Sequence, residues 1–180
     1  MLLANKYRPH YTYDDYCVWE GNWELIDGIP YAMSPLPVPA HQRVSMLLSF
    51  QFEEALKKGN CKKCKTYIPL DWKITEDTIV QPDVLIVCDK IEKKFLDFPP
   101  LLVVEVLSPS TASKDRGEKM ELYQSQAVKY YIIIDPQFNK IEVYELTDNN
   151  YTQVSINPLS HTFNLIDNCK IEVFFKDIWD

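Results

Sequence analysis

The chain has 180 residues, 46% hydrophobic and 25% charged, which excludes intrinsic disorder as its main state. Its formal net charge of −7 excludes a general polyanion binder, while leaving room for a local basic groove or an acidic metal site. No apolar run approaches the ~18 residues that a membrane-spanning helix needs, and the opening residues are not expected to act as a signal peptide. A soluble cytoplasmic protein with no membrane partner and no organic cofactor is the expectation.

In chain order, residues 11–19 predict a short helix, with Thr12 as N-cap and Asp15 three residues on. Trp23–Ile26 and Ile29–Met33 flank Asp27-Gly28, the favoured tight turn of a β-hairpin. Residues 34–39 hold three prolines and predict a loop. From Ala40 to Lys58 the apolar positions Val44, Leu47, Leu48, Phe52 and Ala55 recur at helical spacing, and Gly59 is expected to end that helix.

Residues 67–74 predict an extended run, with Pro69 marking an edge or a bulge. Val84–Val87 is a short apolar strand entered through Pro82-Asp83. Residues 89–100 form a charged connector. Leu101–Leu107 reads as the most buried strand, of the kind found in sheets covered on both faces. Residues 114–126 predict one helix. Tyr130–Ile134 is a second buried strand, Lys140–Leu146 and Tyr151–Ile156 are outer strands, and the tail closes with a weak strand and a short helix. The pattern is α/β (α+β), one domain over 1–180, with helices packed on a mixed central β-sheet.

Five cysteines, an odd number, suit a secreted disulfide scaffold poorly. Cys88 closes an apolar run and is expected to be a buried small hydrophobe. Cys61 and Cys64 have the spacing of a zinc or redox pair. Without a second close pair of ligands, the expectation is reduced thiols.

The chemical signal is a set of carboxylates among apolar neighbours. Glu105 sits inside Leu-Leu-Val-Val-Glu-Val-Leu, where an unpaired carboxylate is costly. Asp83 lies at the mouth of its strand, and Glu24 lies inside the hairpin. Three acids near strand ends are the donors that a hard divalent ion seeks. A solvent gap, a turn cap and an exposed hairpin face account for the same acids, so both readings stand at this point. Arg116, Lys119 or Met120, and Tyr123 lie three or four apart and share a helical face. A lysine there reaches an acid at the end of the preceding strand, or makes a surface salt bridge. Lys57, Lys58, Lys62, Lys63 and Lys65 place five positive charges within nine residues. They are candidates for phosphate contact, or a solvated helix end.

Taken in order, Trp23-Glu24-Leu25-Ile26-Asp27-Gly28, Met33-Ser34-Pro35, His41-Gln42-Arg43, Gln81-Pro82-Asp83-Val84, Val104-Glu105-Val106-Leu107-Ser108-Pro109-Ser110-Thr111, Asp115-Arg116-Gly117-Glu118-Lys119 and Lys129 to Pro136 resemble the Uma2 family. That is a restriction-endonuclease-like family within the PD-(D/E)XK nucleases. The resemblance runs over about residues 10–150. It implies a restriction-endonuclease-like core carrying an N-terminal β-hairpin. It also implies a Mg²⁺-dependent (or Mn²⁺-dependent) endodeoxyribonuclease, with DNA as partner and a homodimer for double-strand cuts. By the resemblance, Asp83 and Glu105 are metal ligands, Glu24 completes the metal set and Lys119 is the catalytic lysine. Arg116 and Tyr123 are expected to support the site, with Gln42 and Arg43 as outer supports; His41 either contacts a phosphate or a site carboxylate at the site edge, or is a helix-start residue packed against the hairpin. The position two residues beyond the acid, where the superfamily keeps its lysine, is Leu107. That departure keeps alive an alternative, a nuclease-like binding or scaffold protein without turnover. A two-carboxylate glycosidase is a third reading, disfavoured by Lys119.

Overall fold

The computed structural model describes residues 9–33, 38–109 and 111–179. The opening residues, 1–8, not expected to act as a signal peptide, and most of the proline loop at 34–39 therefore lie outside the described residues. The elements are α1 (Tyr13–Tyr16), β1 (Trp23–Ile26), β2 (Ile29–Ala32), α2 (Pro39–Lys58), β3 (Lys65–Tyr67), β4 (Trp72–Thr75), β5 (Thr78–Val80), β6 (Val84–Val87), β7 (Leu102–Val106), α3 (Ala112–Arg116), α4 (Glu118–Ser125), β8 (Tyr130–Asp135), β9 (Lys140–Thr147), β10 (Asn150–Ile156), β11 (Ser160–Asn164) and β12 (Lys170–Phe174). A 3₁₀ turn, Phe175–Ile178, closes the chain.

A six-stranded mixed sheet, ordered β10-β9-β8-β7-β6-β3, forms the centre. Its one parallel pair is β7 with β8, joined through α3 and α4, the crossover that parallel strands require. The apolar runs of β6, β7 and β8 follow from burial on both faces. On one face, Val84, Ile86, Val104 and Ile132 pack with Val44, Leu48, Phe52 and Ala55 of α2 and with Phe163 and Val173 of the β11–β12 hairpin. On the other, Leu85, Val103, Tyr131 and Ile133 pack with Trp72, Leu96 and Tyr123. A four-stranded sheet, β2-β1-β5-β4, lies on this second side through Ile26, Trp72 and Val80. The fold is thus α+β with a mixed sheet between helices, as the element pattern predicts.

The hairpin forms as expected: Asp27 and Gly28 both take positive φ, 49° and 73°. Such a turn matches the twist of its strands. The Thr12 cap also forms, with its backbone N–H and hydroxyl both donating to Asp15 Oδ2.

Three expectations change. The extended run at 67–74 is two strands in different sheets, and Pro69, which lacks an N–H for a ladder, lies in the break between β3 and β4. The helix at 114–126 is two helices divided at Gly117, where a Cβ would come within 3.1 Å of the Ser113 carbonyl oxygen. Gly59 ends α2 as expected, though in a right-handed conformation with the positive φ on Asn60. Gly59 is small for another reason: a Cβ there would lie 2.9 Å from the Lys170 carbonyl oxygen. The tail holds a full hairpin rather than a single strand.

The cysteines depart furthest from expectation. Cys61 bonds Cys169, and Cys64 bonds Cys88, while Cys17 is a free, exposed thiol. Sequence spacing gave no pairing because each partner arrives from a distant segment. The β3–β6 register sets Cys64 beside Cys88, and the turn between β11 and β12 brings Cys169 to the end of α2.

Candidate active site

Glu105 projects from β7 into the second face of the sheet and is 3% exposed. Burial at this place demands partners, and two arrive from α4. Lys119 Nζ donates to Glu105 Oε1 at 2.9 Å, and the Tyr123 hydroxyl donates to the same oxygen at 2.6 Å. Lys119 and Tyr123 are four apart on α4, so one helical face delivers both. Arg116 is not on that face. The break at Gly117 turns it to Glu142 on β9, with which it pairs closely. Glu142 stands opposite Ile133 of β8, which stands opposite Glu105, so Arg116 holds the flank two strands away.

Asp83 enters through the sheet register. Val84 faces Val104 across β6 and β7, so the next step places Asp83 opposite Glu105. Its Oδ2 accepts the Val106 N–H at 2.8 Å and lies 3.2 Å from His41 Nε2. His41 is in the first turn of α2, so the helix start closes over this edge.

Glu24, fully buried on β1, is reached by two lysines. Lys119 Nζ lies 2.7 Å from its Oε1 and Lys114 Nζ lies 2.5 Å from its Oε2. The Gln81 N–H also donates to Oε1 at 2.9 Å. Gln81 in turn gives its side-chain amide to Asp71 Oδ1 at 2.6 Å and to the Tyr16 hydroxyl at 3.1 Å. That network fixes the chain just before Pro82-Asp83. Asp115 on α3 adds a fourth carboxylate, its Oδ1 3.6 Å from Lys119 Nζ.

The electrostatics follow from crowding. Burial alone would depress the Lys119 ammonium, but Glu105, Glu24 and Asp115 more than offset it and hold it well above its ordinary value. The three acids around Lys119 thus favour its charged form. Burial pushes the Glu105 carboxyl well above the usual range; Lys119 opposes this, and Asp115, Asp83 and Glu24 reinforce it. Burial would raise Glu24 too, but Lys119 and Lys114 overcome it and hold Glu24 low. Asp115 is raised, mainly by burial. Burial would lower His41, yet its hydrogen bond to Asp83 and the charge there raise it.

The donor chemistry suits a hard cation, since the site offers carboxylate oxygens and Asp115 Oδ1 is a buried oxygen with no hydrogen-bond partner among the described residues. Among the described residues no three acidic, histidine or cysteine side chains already stand at ligand spacing. The Lys119 ammonium lies among the acids instead. Asp83, Glu105 and Asp115 retain the donor character for an ion. Both oxygens of Glu24 already accept from lysines.

The five lysines do not join this site. Lys57 follows His41 by sixteen helical residues, about 24 Å along α2. Lys57 and Lys58 lie 3.7 Å from Glu53 and Glu54, and Lys63 lies 2.6 Å from Asp167. The structure thus gathers Glu24, His41, Asp83, Glu105, Lys119 and Tyr123, and sets Arg116 and the lysine run apart. Sequence reasoning missed Lys114 and gave Asp115 no role. The spacing of Asp115 and Lys119, four apart, was the available signal for the latter.

The mixed sheet thus carries an acid on a central strand, a second acid across the ladder and a lysine from the crossover helix. The chain belongs to the Uma2 family, described as "Putative restriction endonuclease", whose family pattern matches residues 12–169. The match extends past residue 150 into the C-terminal hairpin. The chain is 32% identical over 148 residues to the uncharacterized protein slr1290 of Synechocystis sp. (strain ATCC 27184 / PCC 6803 / Kazusa), covering 78% of this chain and 77% of that one. In fold it is similar to the crystal structure of a "putative nuclease belonging to DUF820" from Anabaena variabilis ATCC 29413, with a TM-score of 0.73 and 14% identity, over 94% of this chain and 97% of that one. No helix among the described residues is long and apolar enough to cross a membrane.

Proposed function

We propose that the protein is a divalent-metal-dependent endodeoxyribonuclease that hydrolyses DNA phosphodiester bonds, with Mg²⁺ as the working ion and Mn²⁺ as a substitute. The observation that carries this reading is the buried Lys119–Glu105 pair lying next to Asp83 in the β6–β7 ladder. Asp83 and Glu105 are the residues that would hold the ion. When bound, such an ion polarises a phosphate and lowers the pKa of a water.

The chain's own groups divide the remaining work. Lys119 supplies fixed positive charge against the charge that develops on the phosphate oxygens. Tyr123 and Lys119 together fix one oxygen of Glu105. His41 and the Val106 N–H fix one oxygen of Asp83. Glu24 orients the two lysines. The Asp83 and Lys114 side chains, 14% and 12% exposed, are more accessible than Glu24 and Lys119, which are buried, so a phosphate would reach the former first. One chain carries one such centre, so a double-strand cut takes a homodimer or two visits.

The test is a cleavage panel on duplex, single-stranded, nicked and branched DNA with Mg²⁺, Mn²⁺ or EDTA. Cleavage by the natural chain, abolished by EDTA and reduced at least ~100-fold by Asp83→Asn or Glu105→Gln, supports the reading. A second reading rests on Leu107, which is buried in the apolar cluster where the superfamily has its lysine. On that reading the protein binds nucleic acid or acts as a scaffold without turnover. DNA retention with no cleavage in either metal selects it and removes the first.

A further inference from the structure

Asp115 is 1% exposed, and its Oδ1 has no hydrogen-bond partner among the described residues. The closest cation, Lys119 Nζ, is 3.6 Å away, beyond a normal hydrogen bond. The Lys119 charge and the Thr111 side chain offset part of the cost of burying this carboxylate, and Oδ1 itself keeps lone pairs that no donor fills among the described residues. The main chain does not allow the side chain to drift. The Asp115 N–H donates to the Thr111 carbonyl at 2.9 Å, and the Asp115 carbonyl accepts the Tyr131 hydroxyl at 2.8 Å. One end is pinned by the first turn of α3 and the other by β8. Its side chain is thereby aimed at the Glu105–Lys119 pair, while its neighbour Arg116 turns away to Glu142.

Glu24 is in the opposite condition. Its Oε1 takes the Gln81 N–H and Lys119, and its Oε2 takes Lys114. An acid with both oxygens committed to cations and a backbone donor has no oxygen to spend on a further ion. A hard divalent ion needs several carboxylate oxygens. Asp83 and Glu105 supply two acids, and the open place is the third.

We propose that Asp115, rather than Glu24, is the third carboxylate of the divalent-cation site, and that Glu24 is a positioning residue holding Lys114 and Lys119. This rests on the metal-dependent reading above and deepens it. A division of labour follows. The acid at the crossover-helix start turns to the ion, and the hairpin acid keeps two ammonium groups beside it.

The test is direct measurement of Mn²⁺ affinity, by the loss of the free-ion EPR signal, in the natural chain and in Asp115→Asn, Glu24→Gln and Asp83→Asn. Binding is read without DNA and without turnover. Asp115→Asn and Asp83→Asn are expected to weaken Mn²⁺ binding at least ~10-fold, with Glu24→Gln within ~3-fold of the natural chain. If Asp115→Asn folds poorly, Asp115→Cys in a Cys17→Ser background gives a second reading. A true ligand position then gains affinity for the thiophilic Cd²⁺ relative to Mn²⁺. Natural-level Mn²⁺ binding by Asp115→Asn, or loss confined to Glu24→Gln, overturns the assignment while leaving the metal-dependent reading in place. Absence of Mn²⁺ binding in the natural chain overturns both.

Discussion

Tyr123 and Lys119 converge on a single oxygen of Glu105, at 2.6 and 2.9 Å, although the carboxylate and the helix that answers it are separated by a loop and a helix break. The convergence makes the pair structural as well as chemical. Lys119→Met leaves Glu24 and Glu105 without their shared cation. A loss of about 3–5 kcal/mol is expected, read from urea denaturation. The double variant with Glu105→Gln should recover part of that loss, because it removes one of the stranded charges. An unchanged urea midpoint for Lys119→Met would show that the ammonium does not hold the acids together.

Leu107→Lys restores the lysine that the wider superfamily keeps two residues past the acid. Here that position is 6% exposed and packed among Ile26, Tyr123 and Ile133 and their neighbours. The added ammonium should destabilise the protein by at least ~2 kcal/mol and give no gain in cleavage. A rise in cleavage rate at normal stability would contradict the assignment of that role to Lys119.

Reduction should be costly. The Cys61–Cys169 bond spans a sequence separation of 108 and ties the end of α2 to the C-terminal hairpin. Loop-closure arguments give such a bond about 4–5 kcal/mol. Cys169→Ser should therefore lower the urea midpoint more than Cys17→Ser, which removes only a free, exposed thiol. Equal midpoints for the two variants, in the absence of reductant, would mean that the bond does not form in solution.

His161 predicts an acid limb in the stability curve. Its Nδ1 lies 3.1 Å from Ser155 Oγ and its ring lies against Phe163. Burial lowers its pKa below the ordinary 6.5, against a smaller upward pull from Glu145. The unfolded chain therefore takes up its proton first as pH falls. The stability this group gives is full above 6.5, is lost as pH falls through the folded value, and then levels off. His161→Gln should flatten that limb in urea titrations between pH 7 and 5. An unchanged slope would assign the limb to other groups.

How much of this was legible in the sequence depends on the range of the forces involved. Asp27-Gly28 announces its turn because positive φ is a local demand. Glu105 stands out because a carboxylate in a run of valines and leucines needs an explanation wherever it folds. Gly117 and Pro69 were less readable, since one divides a helix and the other separates strands of different sheets, and both outcomes are set by packing. The cysteine pairs needed two distant turns to be placed. The lysine run was visible as charge, but charge alone does not say which end of a twenty-residue helix faces the acids. The exchange of roles between Glu24 and Asp115 depends on where each lysine ends, and no periodicity carries that information.

The bond between Cys61 and Cys169 has a topological result as well as an energetic one. It turns most of the chain, including the acids at 83, 105 and 115 and the lysine at 119, into a covalent ring. A protease that nicked the exposed Asp148-Asn149 turn would open that ring without releasing a fragment. The two pieces would migrate as one on a gel until a thiol was added.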